Sequence, residues 1–233
     1  MPDEIGPATI DLIHRACRDR GVSIAALSGT FNMIHPDSDE REAGLRRLDV
    51  LAAAAASIDI PLISLCTGTR DRENMWRHHP DNSLRAAWND LTASIHRAIE
   101  IAEIHNIRLG IEPEPGNVVS DSMKARKLLD EIGSDRVGII LDPANLLDGA
   151  DAAQIETKLE DAFALVGSRI VSAHAKDRDL GGSIVPAGKG IVPWKDFLTR
   201  LSASGFSGPL LLHGLSEQDV PVAREPLLSL LAP

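Results

Sequence analysis

Aromatic residues are scarce in this chain of 233 residues, which has no tyrosine and only 3% aromatic residues in total. Proteins that stack single-stranded bases need exposed aromatic rings, so this scarcity argues against such a surface. Basic residues are too few to balance the acidic ones, and the formal net charge is −10. Binding to a phosphate backbone or to an anionic membrane requires clusters of Lys and Arg. We therefore predict that neither nucleic acid nor a membrane is the main partner.

Cysteines and long apolar runs are the other scarce features. Cys17 and Cys66 are the only cysteines, and neither belongs to a CxxC motif. This pattern is typical of the reducing cytosol, so we predict a cytoplasmic location and no disulfide. The longest apolar stretch, residues 50–58, is too short to cross a bilayer. The N-terminus also lacks the basic and apolar regions of a signal peptide.

Short apolar runs alternate with helical patterns along the whole chain. We predict six strands, each leading into a helix, at residues 22–27, 60–65, 107–111, 137–141, 170–173 and 209–212. This alternation is typical of parallel βα units in an α/β fold, and nothing in the composition divides the chain. We therefore predict a single barrel domain over residues 1–233, with a glycine-rich loop at residues 181–190.

A closed TIM (β/α) barrel has eight strand–helix units, whereas the sequence shows six. The pattern therefore predicts a TIM barrel that is incomplete at its N-terminus. Two explanations stay open: a truncated reading frame, or a natural barrel whose open edge is covered by a partner. An open edge strand offers unpaired backbone groups, so a homo-oligomer is one such arrangement.

Four of the predicted strands end in side chains that bind metal ions or transfer protons, namely Glu112, Asp142, His174 and His213. Because the carboxyl ends of barrel strands form the active-site face, we expect these side chains to converge. Carboxylate and imidazole ligands suit Mn²⁺, Mg²⁺, Co²⁺ or Zn²⁺, and ligand type alone does not choose among these ions. Simpler explanations are that Glu112 lies in a turn, that Asp142 caps a helix, and that His174 is a hydrogen-bonded core residue.

Further polar residues follow the strands and are candidate substrate contacts. Arg70 and Lys176 are cations that suit a phosphate or carboxylate group. Trp76 and His79 lie in the longest excursion, where they could form a lid over a sugar ring. The alternative is that Trp76 packs locally and His79 is solvated. The remaining candidate contacts are Asn32, Thr67 and Asn145.

The ordered set of strand-end motifs resembles the xylose-isomerase-like sugar isomerase and epimerase family, whose superfamily includes the type IV apurinic endonucleases. The matching motifs are Ile111-Glu112, Leu141-Asp142-Pro143-Ala144-Asn145, His174-Ala175-Lys176-Asp177, residues 187–190 with Trp194, and residues 205–209. The resemblance implies one divalent metal ion, held by a Glu, an Asp, a His and a second Glu. Glu112, Asp142 and His174 correspond to the first three ligands. His213 stands in place of the second Glu, and Asn145 stands where many members have a His.

The resemblance also implies a function. Members of the family are metal-dependent isomerases or epimerases of sugars or sugar phosphates, which remove a proton beside a carbonyl and form an enediolate. Glu112 is then both a ligand and the candidate general base. His213, with Glu217 reaching back into the site, would replace the second carboxylate. One alternative is a non-catalytic sugar- or polyol-binding barrel, which the missing Glu favours. The other is an apurinic endonuclease relative, which the acidic charge disfavours.

Overall fold

A computed structural model of the chain describes residues 1–231, which group into two compact units. The first unit comprises residues 1–120 and 127–138, and the second comprises residues 121–126 and those from 139 onwards. The prediction that residues 1–233 form one domain stays a prediction. Within the described residues, no helix combines the length and apolar character needed to cross a membrane.

The first unit is built from parallel strands and long helices. Its elements are α1 (Pro7–Arg20), β1 (Leu27–Ser28), α2 (Ser38–Ser57), β2 (Leu62–Cys66), a 3₁₀ turn (Pro80–Ser83), α3 (Arg85–Ile104) and β3 (Arg108–Glu112). Strand β2 pairs in parallel with β1 on one side and with β3 on the other. Two further elements, α4 (Ser122–Ile132) and β4 (Val137–Leu141), belong partly to each unit.

Helices α2 and α3 bury one face each, as their apolar spacing predicts. The buried residues Leu45, Leu48 and Ala52 of α2, and Leu91 and Ile95 of α3, recur every three or four positions. Strands β2 and β3 are buried almost throughout, which explains why they read as continuous apolar runs. Full burial of one leucine side chain in these faces contributes roughly 2–3 kcal/mol to the stability of the unit.

The second unit repeats the parallel pattern and adds a hairpin. Its elements after β4 are α5 (Pro143–Leu146), α6 (Ile155–Val166), a 3₁₀ turn (Gly167–Arg169), β5 (Ile170–Ala175), β6 (Asp177–Arg178), β7 (Ile184–Val185), α7 (Trp194–Ala203), β8 (Leu210–Leu212), a 3₁₀ turn (Glu217–Asp219) and α8 (Val220–Leu231). Strand β5 pairs in parallel with β4 and with β8, whereas β6 and β7 are antiparallel. Phe197 of α7 packs edge-on against Phe163 and Trp194, with both ring centroids at 5.6 Å.

The six predicted strands correspond to β1, β2, β3, β4, β5 and β8, so the α/β fold class is confirmed. The first strand is wrong in extent, because residues 22–27 were predicted and only Leu27 and Ser28 pair. Leu27 lies opposite Ile63, and β2 begins at Leu62, so residues 22–25 lie beyond the start of the neighbouring strand with which β1 pairs. The predicted loop at residues 181–190 is also partly wrong, because it contains β7.

Candidate metal centre

Three of the four predicted metal ligands come together at strand ends of the second unit. Asp142 follows β4, His174 lies near the end of β5, and His213 follows β8. Their ligand atoms all lie within 4.8 Å of one another. The parallel register explains this grouping, because His174 lies opposite Leu211 and the three strand ends therefore fall at one edge.

Asp142 uses its two carboxylate oxygens differently. Oδ1 accepts hydrogen bonds from the amides of Ala144 (2.9 Å) and Asn145 (3.2 Å), which caps the short helix α5. Oδ2 lies 3.2 Å from His174 Nδ1 and 3.2 Å from Lys176 Nζ. Asp142 therefore caps helix α5 with one carboxylate oxygen and lies in the group with the two histidines through the other.

The surroundings of Asp142 favour its ionised form. Burial by itself raises the pKa of this carboxyl, but the hydrogen bond from His174 and the positive charge of Lys176 outweigh burial. The pKa of Asp142 consequently lies below its ordinary value. A metal ion binds a carboxyl group in its ionised form, so this environment suits Asp142 as a metal ligand.

The rings of His174 and His213 stack on each other, with centroids 4.4 Å apart and planes inclined by 12°. His174 is buried, whereas His213 is exposed and its amide donates to the carbonyl of Ala175 at 3.3 Å. The lone pairs of imidazole nitrogens lie in the ring plane, so two nearly parallel rings do not aim at one point. Coordination of one ion by both rings therefore requires the exposed His213 ring to turn.

Lys176 and Asn145 complete this group. Lys176 is only 8% exposed, and its Nζ donates to Asn145 Oδ1 at 2.8 Å. Both residues were predicted as substrate contacts, and the structure places both beside Asp142. Glu217, the predicted second acid or base, is exposed in the 3₁₀ turn after β8. Among the described residues it is not a member of the ligand group that contains His213.

Glu112, the fourth predicted ligand, belongs to the first unit and is buried at the end of β3. It lies opposite Cys66 of β2, and the ligand atoms of Cys66, Glu112 and Glu114 lie within 4.8 Å of one another. Sequence reasoning missed Cys66 as a member of this group. The available signal was that Cys66 also ends a strand, immediately before a polar turn.

Two predicted substrate contacts of the first unit bond to nearby backbone. Asn32 Oδ1 accepts from the amide of Thr69 at 3.0 Å, and Asn32 Nδ2 donates to the carbonyl of Thr69 at 2.8 Å. The fully buried Thr67 accepts from the amide of Val119 through its hydroxyl at 3.1 Å. These bonds hold the loops that follow the strands, which is a structural role for both side chains.

The other predicted contacts of the first unit lie in the long excursion or beside it. Arg70 donates to the carbonyl of Ile34 at 3.0 Å and forms an ion pair with Asp90 at 2.7 Å. Trp76 is 51% exposed. His79 precedes the 3₁₀ turn at Pro80–Ser83, where its Nδ1 accepts from the backbone amide of Asp81. The charge of Arg70 is therefore balanced within its own unit.

Asp177 is a key residue of the second unit that sequence reasoning matched to a motif without giving it a role. It is fully buried, and its carboxylate accepts five hydrogen bonds of 2.8–3.1 Å. The donors are the amides of Arg178, Gly188, Gly190 and Val192 and the indole of Trp194. A Cβ on Gly190 would come within 2.2 Å of Asp177 Oδ1, so the loop reaches this carboxylate only with glycine there.

A carboxylate and two imidazoles within 4.8 Å form a donor set that fits a divalent transition-metal ion. The fold and this set together define an α/β protein with a candidate metal centre at its strand ends. The sequence profile of the family described as "Xylose isomerase-like TIM barrel" matches residues 1–228. The chain belongs to this family, which confirms the resemblance and the TIM-barrel fold class. No curated protein matches the chain.

Solved structures of the same fold are similar to this chain at low sequence identity. A D-tagatose 3-epimerase-like protein is 17% identical with a TM-score of 0.81, covering 97% of this chain and 83% of that one. A xylose isomerase domain protein from Planctomyces limnophilus is 18% identical with a TM-score of 0.77, covering 98% and 84%. A xylose isomerase-like TIM barrel protein from Mycobacterium smegmatis, in complex with magnesium, is 17% identical with a TM-score of 0.75, covering 98% and 79%.

Proposed function

We propose that this protein is a divalent-metal-dependent isomerase or epimerase of a sugar or sugar phosphate. The observation that carries the proposal is the grouping of Asp142, His174 and His213 within 4.8 Å in the second unit. The solved neighbours, which are mostly sugar epimerases and isomerases, support the enzyme class. Two neighbours that hold zinc or magnesium support the dependence on a metal.

The metal ion would be held by Asp142, His174 and His213, after the His213 ring has turned away from its stack. When bound, the ion supplies positive charge that stabilises the negative charge formed as a proton leaves the carbon beside a carbonyl. Lys176, whose Nζ lies 3.2 Å from Asp142 Oδ2, would hold an anionic oxygen of the substrate. Asn145 positions this ammonium group by accepting its hydrogen bond.

Proton transfer is assigned to Glu112 as general base and additional ligand, on the basis of its sequence motif and its buried place at the end of β3. His213 and Glu217 are the proposed partners for returning the proton. The predicted substrate contacts of the first unit remain part of the proposal, and these are Asn32, Thr67, Arg70, Trp76 and His79. The cytoplasmic location and self-association remain predictions from the sequence.

Exchange of solvent deuterium into a panel of ketoses and ketose phosphates, followed by NMR, tests this function. We expect exchange beside the carbonyl with at least one of Mn²⁺, Mg²⁺, Co²⁺ or Zn²⁺ present, and its loss when the ion is chelated. Glu112→Gln should lower the exchange rate about 100-fold or more, because general bases contribute about that much. Glu103→Gln, on the exposed surface of α3, is the matched control and should leave the rate unchanged. Absence of exchange with every ion and substrate would refute the proposal.

A non-catalytic sugar- or polyol-binding protein is the second candidate. The observation that favours it is His213, which stands where the family resemblance implies a carboxylate and stacks on His174. An imidazole is a different proton-transfer group from a carboxylate and is suited to a different pH range. Sugar binding measured by calorimetry, without deuterium exchange, would favour this candidate over the enzyme.

A further inference from the structure

The candidate centre of the second unit is rich in nitrogen ligands. Two of its three donors, His174 and His213, are imidazoles, and only Asp142 is a carboxylate. Imidazole suits Zn²⁺, Co²⁺, Ni²⁺ and Fe²⁺, whereas Mg²⁺ and Ca²⁺ prefer sites made of carboxylate, carbonyl and water oxygens. The donor chemistry alone therefore separates these two groups of ions.

Lys176 gives a second reason to expect this centre to discriminate between Mg²⁺ and transition-metal ions. Its ammonium group lies 3.2 Å from Asp142 Oδ2, so it offsets the charge of the one carboxylate in this group of three donors. The carboxyl is buried, and Coulomb interactions there are screened less than at the surface. An ion such as Mg²⁺, which is attracted mainly by charge, gains less from a carboxylate whose charge is offset in this way. An ion that also forms strong bonds to imidazole nitrogen is less affected.

His213 is the ligand on which this selectivity depends and the one most easily changed. Asp142 is buried and caps α5, and His174 is buried against Asp142, so substitutions there also disturb packing. His213 is exposed, and its ring contacts the His174 ring. A substitution at this position therefore changes the donor set with little effect on the fold.

We infer that His213 makes this centre selective for a borderline transition-metal ion such as Zn²⁺ or Co²⁺ over Mg²⁺. The inference rests on the metal site of the proposed function, but it requires no sugar to react. Failure of deuterium exchange with a bound ion would therefore count against the enzyme and leave the selectivity intact. Equal binding of Zn²⁺ and Mg²⁺ would overturn the selectivity and leave the enzyme assignment open to either ion.

The test is calorimetric titration of the full chain, stripped with a chelator, with Zn²⁺ and separately with Mg²⁺. We expect Zn²⁺ to bind much more tightly than Mg²⁺. His213→Ala should weaken Zn²⁺ binding at least about 10-fold, because even residues that only support a ligand contribute that much. Mg²⁺ affinity should stay within about 3-fold of the wild type, since imidazole contributes little to binding of this ion. His14→Ala, an exposed histidine on α1, is the matched control and should change neither affinity.

His213→Glu provides the reverse test. A carboxylate at this position should raise Mg²⁺ affinity at least about 10-fold and narrow the preference for Zn²⁺. Lys176→Met should also raise Mg²⁺ affinity, because it removes the positive charge beside Asp142. Circular dichroism of each variant verifies that it is folded.

Visible absorption of Co²⁺ gives a readout that does not depend on affinity. Bands of the bound ion should shift or lose intensity in His213→Ala, because the number of nitrogen ligands falls, and should be unchanged in His14→Ala. A Zn²⁺ affinity and a Co²⁺ spectrum that both survive His213→Ala would overturn the inference. So would a Mg²⁺ affinity that equals that for Zn²⁺ in the wild type.

Discussion

The strand ends of the first unit differ in chemistry from those of the second. After β1, β2 and β3, amides and hydroxyls such as those of Asn32, Thr67 and Asn117 bond to the backbone of neighbouring loops. After β4 and β5, Asp142 and Lys176 bring opposite charges to one buried group. Neutral side chains whose hydrogen bonds go to the backbone indicate that they support loops. A cluster of buried titratable side chains instead indicates a candidate site of binding or catalysis.

Two residues qualify this contrast, one in each unit. Glu112 brings a buried carboxylate to the first unit, beside Cys66. Asp177 brings one to the second unit, where five donors from the polypeptide saturate it. The donors to Asp177 are backbone amides and one indole, whereas Oδ2 of Asp142 lies beside the titratable side chains of His174 and Lys176. A buried carboxylate whose acceptor positions are filled by backbone amides and an indole therefore indicates loop support.

The largest expected effect comes from Asp177→Ala. Four backbone amides and one indole lose their acceptor, and each buried donor left unsatisfied costs about 1–3 kcal/mol, partly relieved by water. We expect the free energy of unfolding, measured with urea, to fall by roughly 4 kcal/mol. Asp179→Ala, in the same hairpin but half-buried, is the control and should cost less than about 1 kcal/mol. Equal costs would show that Asp177 does not support the loop.

The next effect should come from Asp142→Asn. The amide preserves an oxygen for capping α5 but removes the charge, which leaves Lys176 beside a neutral group. Loss of one partner of a buried ion pair costs about 3 kcal/mol of stability, and Zn²⁺ binding should fall at least about 10-fold. Urea denaturation and calorimetry measure the two effects. Asp151→Asn, which changes an exposed carboxylate that also accepts two loop amides, should affect neither.

Asn117→Ala should have a smaller effect on stability and none on metal binding. Its Oδ1 accepts from the amide of Gly68 at 2.8 Å, and its Nδ2 donates to the carbonyl of Met75 at 3.0 Å. Loss of these buried bonds should cost about 2 kcal/mol in urea denaturation. Asn89→Ala, on the exposed face of α3, should change stability by less than about 0.5 kcal/mol. A weaker Zn²⁺ affinity in Asn117→Ala would contradict the separation of roles between the two units.

The smallest expected effect concerns the pH dependence of Asp71. The side-chain hydrogen bond from Arg77, with those from the amides of Glu73 and Asn74, holds the pKa of Asp71 well below its ordinary value. The folded state therefore releases this proton more readily than the unfolded state. The resulting stabilisation is present above the unfolded pKa of about 4 and is lost as the pH falls towards the folded pKa.

Asp71→Asn should therefore be less stable than the wild type at pH 7, and the difference should shrink as the pH falls below about 4. Urea denaturation at pH 7 and at pH 3 measures both values. Because Arg77 is exposed, solvent weakens the ion pair and the difference should be the smallest of the four. A difference that is independent of pH would show that the charge of Asp71 contributes nothing.

Much of the fold could be predicted because the central strands β2, β3 and β4 are buried on both faces along most of their length. Runs such as Val137–Leu141 are continuously apolar, and the polar residue that follows each run marks the strand end. The same logic predicted Asp142, His174 and His213 as neighbours, since parallel strands align their ends. The local apolar pattern and the residue types at the strand ends were therefore sufficient to predict these strands and this group of three side chains.

Other features depend on partners that are distant in the sequence. The ion pair of Arg70 with Asp90 arises from tertiary packing, and no local pattern marks it. The hairpin of β6 and β7 lies in a glycine-rich stretch whose pairing depends on the loop that Asp177 holds. The length of β1 was overestimated because β-propensity does not reveal where the neighbouring strand begins, and β2 begins only at Leu62.

The indole of Trp194 gives the loop around Asp177 an optical signature. Trp194 is 5% exposed and donates to Asp177 at 2.9 Å, whereas Trp76 is 51% exposed, and these are two of the three tryptophans in the chain. An indole shielded from water fluoresces at shorter wavelength than a solvated one. A red shift of the emission would therefore report release of residues 186–194 from the carboxylate, in real time and without any attached dye.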